Sequence, residues 1–136
     1  MNTDLRAQAA LDHWKEGGFA SLDEAERIVA AVWLFEGQVE NQGFERFFSG
    51  RYGEFAIHAP TALRTIGAVK AAELAEAALA VFGEGGVPST REERRTAVRA
   101  FTPEQRARLA EIEEQFFACD EDLDERLDRF LETVAA

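Results

Sequence analysis

The chain has 136 residues, 46% of them apolar, and a formal net charge of −11. That length fits one domain, residues 1–136, whose core would bury about two thirds of the unfolded surface, and that apolar fraction excludes a disordered chain. The charge opposes binding to nucleic acid and to anionic membranes, and a single cysteine, Cys119, excludes an internal disulfide framework and an all-cysteine zinc site.

The first predicted helix spans Thr3 to Lys15, with Leu5, Ala9 and Trp14 available for one face and Gly17-Gly18 as its stop. No continuous apolar run precedes Trp14, so no secretory signal is expected and a bacterial cytoplasm is the default location. Ser21-Leu22-Asp23-Glu24 has the spacing of a capping box and predicts the start of a central helix. Ile28 to Phe35 are all apolar, which suits a helix buried on every side but is far short of the ~20 residues of a membrane span. A polar tail from Glu36 to Gln42 follows, and Gly43 stands where a left-handed residue would close the helix. Phe44, Phe47 and Phe48, at i, i+3 and i+4, predict a second short helix pressing an aromatic face back on the same core. Asn41 is expected to bond backbone near the glycine stop.

Ser49 to Gly53 reads as a loop, and Pro60 as a residue that starts or kinks the next helix. Leu63 and Ile66 face inward and Gly67 ends that element. Val69 to Phe82 is alanine-rich, with Leu74, Ala78 and Phe82 four apart, and Gly83 to Pro88 is the longest cluster of helix breakers. Thr90 to Ala100 predicts a short basic helix with Thr90 and Glu93 as its capping box. Thr102-Pro103-Glu104-Gln105 supplies an N-cap, a first-turn proline and a capping glutamine for a helix reaching Ala118 and burying Leu109, Ile112 and Phe116. The last helix is predicted from near Asp120, burying Leu123, Leu127, Phe130, Leu131 and Val134. No segment alternates with period two, so the fold class is all-α, one domain around a buried central helix.

The segment Val39 to Phe48, VENQGFERFF, resembles the Asn-Gly-Gly-Phe-x-Gln-Phe-Phe signature of the DMP-type DNA-mimic protein family, with Gln42 and Arg46 as departures. Ala62 to Ala68, ALRTIGA, is similar to that family's Ala-Leu-x-x-Ile-Gly-Ala segment, and Phe82 and the acidic C-terminal helices also match, so the likeness covers roughly residues 20–131. It implies an all-α fold and structural roles for Glu40, Asn41, Gly43, Phe44, Phe47, Phe48, Ile66 and Gly67. For its best-understood members it implies an acidic dimer that occupies the DNA-binding face of a transcription regulator.

Motifs for chemistry are weak. Asp120-x-Asp122-x-Asp124 starts like a calcium loop, but Glu125 replaces the required glycine and Leu131 the bidentate glutamate. His13 and His58 lack a matching ligand set, Gly83 to Gly86 lacks a phosphate-cradling Gly-Lys-Ser/Thr, and the acidic run after Cys119 disfavours a thiolate. No metal, cofactor or catalytic residue is expected. Glu36 and Glu40, one turn apart, are read as structural, one of them paired with Arg46 or Arg51; a small enzyme would need a pocket around Glu36, Glu40 and Asn41.

The strongest signal is charge distribution. Residues 111–132 hold ten acids against two bases, whereas residues 91–108 hold six arginines against three glutamates. On a helical wheel Glu121, Glu125, Asp128 and Glu132 fall within roughly 60°, about 145° from the apolar stripe, and predict an exposed acidic ridge. Four charges over about 16 Å are sparse beside duplex DNA, with one per ~1.7 Å, so a second source, Glu111 and Glu114 or a two-fold partner, is expected. Some of Arg91, Arg94, Arg95 and Arg99 are expected to pair with acids within the domain or across a dimer. These features suggest a non-enzymatic interaction protein whose partner is a basic protein, plausibly a DNA-binding regulator. An immunity-type protein covering a basic nuclease toxin is the alternative, with no nucleic acid or membrane bound directly.

Overall fold

A computed structural model describes residues 3–135, so the ends of the expected domain, residues 1, 2 and 136, lie outside the described residues. Among the described residues the chain forms eight α-helices and a short 3₁₀ turn, with no strand. The helices are α1 (Thr3–Gly17), α2 (Glu24–Gln42), α3 (Phe44–Ser49), α4 (Gly53–Thr65), α5 (Val69–Ala80), α6 (Arg91–Arg99), α7 (Pro103–Phe117) and α8 (Leu123–Ala135). No helix is long and apolar enough to cross a membrane.

The all-apolar run makes α2 the organising element. Ile28 to Val32, Leu34, Phe35 and Val39 are buried, and α2 packs on α1, α3, α4 and α8. Trp33 departs from the expected core cluster: it is half-buried, and its indole Nε1 donates to Asp4 Oδ1 at 2.9 Å. The cap also moves. Asp23, not Ser21, begins α2, accepting from Glu26 N at 2.8 Å while the Glu26 carboxylate accepts from Asp23 N at 3.0 Å. Ser21 belongs to the 3₁₀ turn Phe19–Ser21 and donates to Gly18 O at 2.7 Å.

Gly43 ends α2 with φ 86°, its N–H donating to the Gln38 and Val39 carbonyls, both at 3.1 Å. The chain re-enters a helix at once, and Phe44, Phe47 and Phe48 are each only 1% exposed. Their rings join a chain of aromatic contacts: Phe35–Phe116 at 5.0 Å, Phe44–Phe48 at 5.7 Å, Phe48–Phe82 at 5.0 Å and Phe82–Phe101 at 5.1 Å. One hydrophobic core therefore links α2 and α3 to the C-terminal helices.

Behind α3 the chain turns tightly. Arg94 of α6 is 3% exposed, its Nε donating to Phe48 O at 2.8 Å and Nη1 to Ser89 O at 3.2 Å. Arg94 thus bonds carbonyls rather than an acid: Phe48 O at the end of α3, which has no intrahelical donor, and Ser89 O just before α6. A Cβ on Gly53 would lie 2.4 Å from Phe48 O and 2.7 Å from Arg94 Nε, so only glycine admits this close approach. Gly53 begins α4, earlier than Pro60 suggested. Pro60 sits inside the helix, removing one backbone donor without ending it. Ile66 and Gly67 close α4 as expected, with Ala68 N donating to Leu63 O at 2.8 Å.

Three faces differ from expectation. In α1 the buried residues are Ala7, Ala10 and Leu11, while Leu5 is 72% exposed. In α5 they are Ala71, Ala72, Ala75 and Ala78, small side chains that bring the helix close to α4. In α8, Leu123, Leu127 and Leu131 are buried, Phe130 is half-buried and Val134 is 47% exposed, because the helix starts at Leu123 and its stripe is narrower than predicted. The Thr102–Gln105 capping box of α7 and its buried Leu109, Ile112 and Phe116 agree with the sequence. Thr90 caps α6 by accepting from Glu93 N, but the reciprocal bond to its own N–H is not made.

Truncating Phe47 to alanine removes a ring packed on all sides and is expected to destabilise by about 3–5 kcal/mol, measured as a lower midpoint in urea. Near-neutral behaviour would remove the organising role of the aromatic face of α3.

Candidate interaction surface

The acids of the C-terminal region fall into three groups once their partners are known. The first group caps helices. Glu113, half-buried on α7, accepts from Phe44 N at 3.1 Å, at the start of α3. Glu121 accepts from Lys70 N at 3.1 Å and Ala71 N at 2.8 Å, at the start of α5. In both places a carboxylate meets free N–H groups and the positive end of a helix dipole, which is where it stabilises most. Glu121 therefore does not stand in the predicted ridge: it precedes α8 and faces α5.

The second group is paired with cations. Glu111 pairs with Arg108 one turn away, Glu45 with Arg106, and Asp120 with Lys70 at 3.1 Å. The Lys70 ammonium holds the Asp120 carboxyl below its usual range. Glu114 is exposed on α7. Neither Glu111 nor Glu114 is among the residues of the two grooves that the acids of α8 line.

The third group forms a surface. With Leu123, Leu127 and Leu131 turned to the core, α8 leaves Asp124, Glu125, Asp128 and Glu132 exposed. These line a groove of 430 Å³ with Asp122 and Arg129, and among the described residues only Glu125 is paired there with a cation, Arg129. Asp122 accepts from Glu125 N at 3.0 Å, and Asp128 accepts from the Thr3 hydroxyl of α1.

Asp124 also lines a second, larger groove of 510 Å³ with Asp4 of α1 and Trp33, Glu36, Glu40 and Asn41 of α2. Among the described residues no lysine, arginine or histidine lines it. The expected partners of Glu36 are elsewhere: Arg46 bonds Gln42 Oε1 at 3.4 Å, and Arg51 lies over the Tyr52 ring. Glu36 shares the groove instead with the Asp124 carboxyl. Burial first, then the neighbouring Asp124 carboxyl, pushes Glu36 up to about 8. Glu40 is exposed at the rim. Asn41 is exposed too, but its side-chain amide donates to Gly37 O at 2.8 Å, bonding backbone one turn before the glycine stop.

Two grooves sharing Asp124 thus make one acidic face from α8, the polar end of α2 and the start of α1. Sequence spacing revealed the α8 part. The α2 and α1 parts depend on tertiary packing, and the only hint was the pair Glu36 and Glu40. The motif residues Gly43, Phe44, Phe47 and Phe48 build the junction that ends α2, and Ile66 and Gly67 the junction before α5. The Gly67 carbonyl accepts from Arg126 Nη1 of α8 at 2.9 Å. Elsewhere His13 pairs with Glu26, and His58 stacks on Phe19 at 4.0 Å, burial pushing its pKa down. Among the described residues no group of His, Cys, Asp or Glu side chains is placed to hold a metal ion.

Fold and surface together define an all-helical protein with a composite acidic face. The chain belongs to the DMP19-like protein family, whose model matches residues 20–134. No curated protein and no solved structure matches it.

The split between capping and surface acids predicts different costs. Glu121→Ala should destabilise by about 0.5–2 kcal/mol, as loss of a helix cap does, whereas Glu132→Ala should stay within ~0.5 kcal/mol of wild type in the same thermal melts. Equal effects would mean that Glu121 is a surface charge.

Proposed function

We propose that the protein is a non-enzymatic interaction protein of the cytoplasm that presents its composite acidic face to a basic, DNA-binding protein, occupying the surface that would otherwise hold DNA. The observation that carries this reading is the continuity of the two grooves through Asp124: carboxylates from three helices share one face, and among the described residues a single arginine, Arg129, lines it. This supplies the second row of charge that α8 alone lacks. Family membership supports the same reading, since the likeness of VENQGFERFF and ALRTIGA is to DNA-mimic proteins. A basic nuclease toxin neutralised by the same face is the alternative target. The genes beside this one distinguish the two, a regulator favouring the first and a toxin the second.

The cavity at Glu36 also meets the requirement set above for a small enzyme. Against that reading, the acidic residues of the cavity, Asp4, Glu36, Glu40 and Asp124, stand together as like charges. Glu40 and Asp4 add negative charge and no electrophilic donor.

The test is capture from a native lysate at low salt, followed by titration of the captured protein at two salt concentrations. A quadruple variant, Glu40→Gln, Glu125→Gln, Asp128→Asn and Glu132→Gln, alters four exposed side chains and should fold normally. Its association should slow on the order of 10-fold and become less salt-sensitive, because steering by the acidic face is lost. Equal affinities and equal salt slopes would contradict the proposal.

A further inference from the structure

A groove between α2 and α4 has a different chemistry from the acidic face. Its volume is 360 Å³, at the small end of the range of about 300–1,000 Å³ for sites that enclose a small molecule. Helical spacing builds both walls. On α2, Glu24, Arg27 and Ile28 stand at i, i+3 and i+4. On α4, His58, Thr61, Ala62 and Thr65 stand at i, i+3, i+4 and i+7. Phe19 also lines the groove, and with the buried Ile28 and Ala62 it supplies an apolar lining.

Opposite charges meet here without neutralising each other. The Arg27 guanidinium lies over the Phe19 ring, Cζ 4.6 Å from its centroid, and its Nε is buried without a hydrogen-bond partner. Glu24 is exposed one turn away, and among the described residues neither side chain forms an ion pair. An unpaired arginine is costly to hold in a fold, and its planar fork of N–H donors suits a carboxylate. A plain carboxylate would be repelled by Glu24, however, and a plain cation by Arg27. The Thr65 hydroxyl donates to Thr61 O at 2.9 Å, so it has only lone pairs left to offer a ligand, as an ammonium requires. Burial pushes His58 below its ordinary 6.5, so at neutral pH it is uncharged and adds no second cation. We propose that this groove binds a free α-amino acid with an apolar side chain. Arg27 takes its carboxylate, Glu24 and Thr65 take its ammonium, and Phe19, Ile28 and Ala62 take its side chain. None of these residues lines the two acidic grooves, so binding here does not depend on what the acidic face holds.

Backbone amide NMR of the full chain tests this, with L-valine, L-leucine, L-methionine and L-phenylalanine each added to about 10 mM, enough to detect a Kd of about 1 mM. At least one should shift amides at Phe19, from Glu24 to Ile28 and from His58 to Thr65. Wild type should prefer that amino acid on the order of 10-fold over the same molecule lacking its amino group, 4-methylpentanoate in the case of leucine. Glu24→Gln should lose the preference and still bind the carboxylate, whereas Arg27→Gln should lose both ligands. If Arg27→Gln folds poorly, Thr61→Trp, at an exposed position, fills the groove and should block binding instead. Absence of shifts with all four amino acids would overturn the proposal. So would shifts centred outside this groove, or equal affinity of wild type for the amino acid and its counterpart without the amino group.

Discussion

Gly43 is the constraint on which the rest of the structure depends. At φ 86° a residue with a side chain would be strained by about 1–2 kcal/mol, and a Cβ there would also lie 3.2 Å from the Glu113 carboxylate. The same residue ends α2 through its N–H and opens α3 through its carbonyl, which accepts from Phe47 N at 3.1 Å. With no linker between the two helices, the directions of their side chains are fixed relative to each other. Phe44, Phe47 and Phe48 go into the core, and the polar last turns of α2, with Glu36 and Glu40, remain at the surface beside α8. The turn that builds the core therefore also places part of the acidic face.

Charge in this protein is divided by local geometry rather than spread evenly. Glu113 and Glu121 stabilise the starts of α3 and α5, the helices that follow the two family-like segments. Glu45, Glu111 and Asp120 pair with neighbouring cations. Asp4, Glu36, Glu40 and the exposed acids of α8 gather on one side, so the net charge of −11 understates how polarised the surface is. The arginines follow a similar rule. Arg94 is buried for its two carbonyl bonds, Arg106 bonds Glu45 and the Val98 carbonyl, and Arg126 holds the Gly67 turn.

The elements with a strong local signal were legible in the sequence. The apolar run of α2, the glycine stop, the Phe44–Phe47–Phe48 spacing and the Thr102–Gln105 capping box each depend on residues within a few positions of one another, and each stands as read. The cap of α2 was misplaced because Ser21 and Asp23 both precede a glutamate by three residues, and only Asp23 has its backbone at the helix edge. The face of α1 was misread because alanine buries well yet carries little weight in a hydrophobic pattern. Glu121 looked like a ridge residue on an idealised wheel, but α8 starts two residues later and its carboxylate turns to α5. Nothing local to Glu36 indicates that Asp124 lines the same groove. The two share it only because α8 returns to pack on α2.

The central claim is that the acidic face is a composite of three helices rather than the single helix α8. Backbone amide NMR of the labelled protein, titrated with a short arginine-rich peptide, tests it most directly. The account predicts that shifts cluster at Asp4, at Glu36 to Asn41 and from Asp122 to Glu132, and leave Glu111 and Glu114 unmoved. Shifts confined to α8, or spread evenly over every exposed acid, would contradict it.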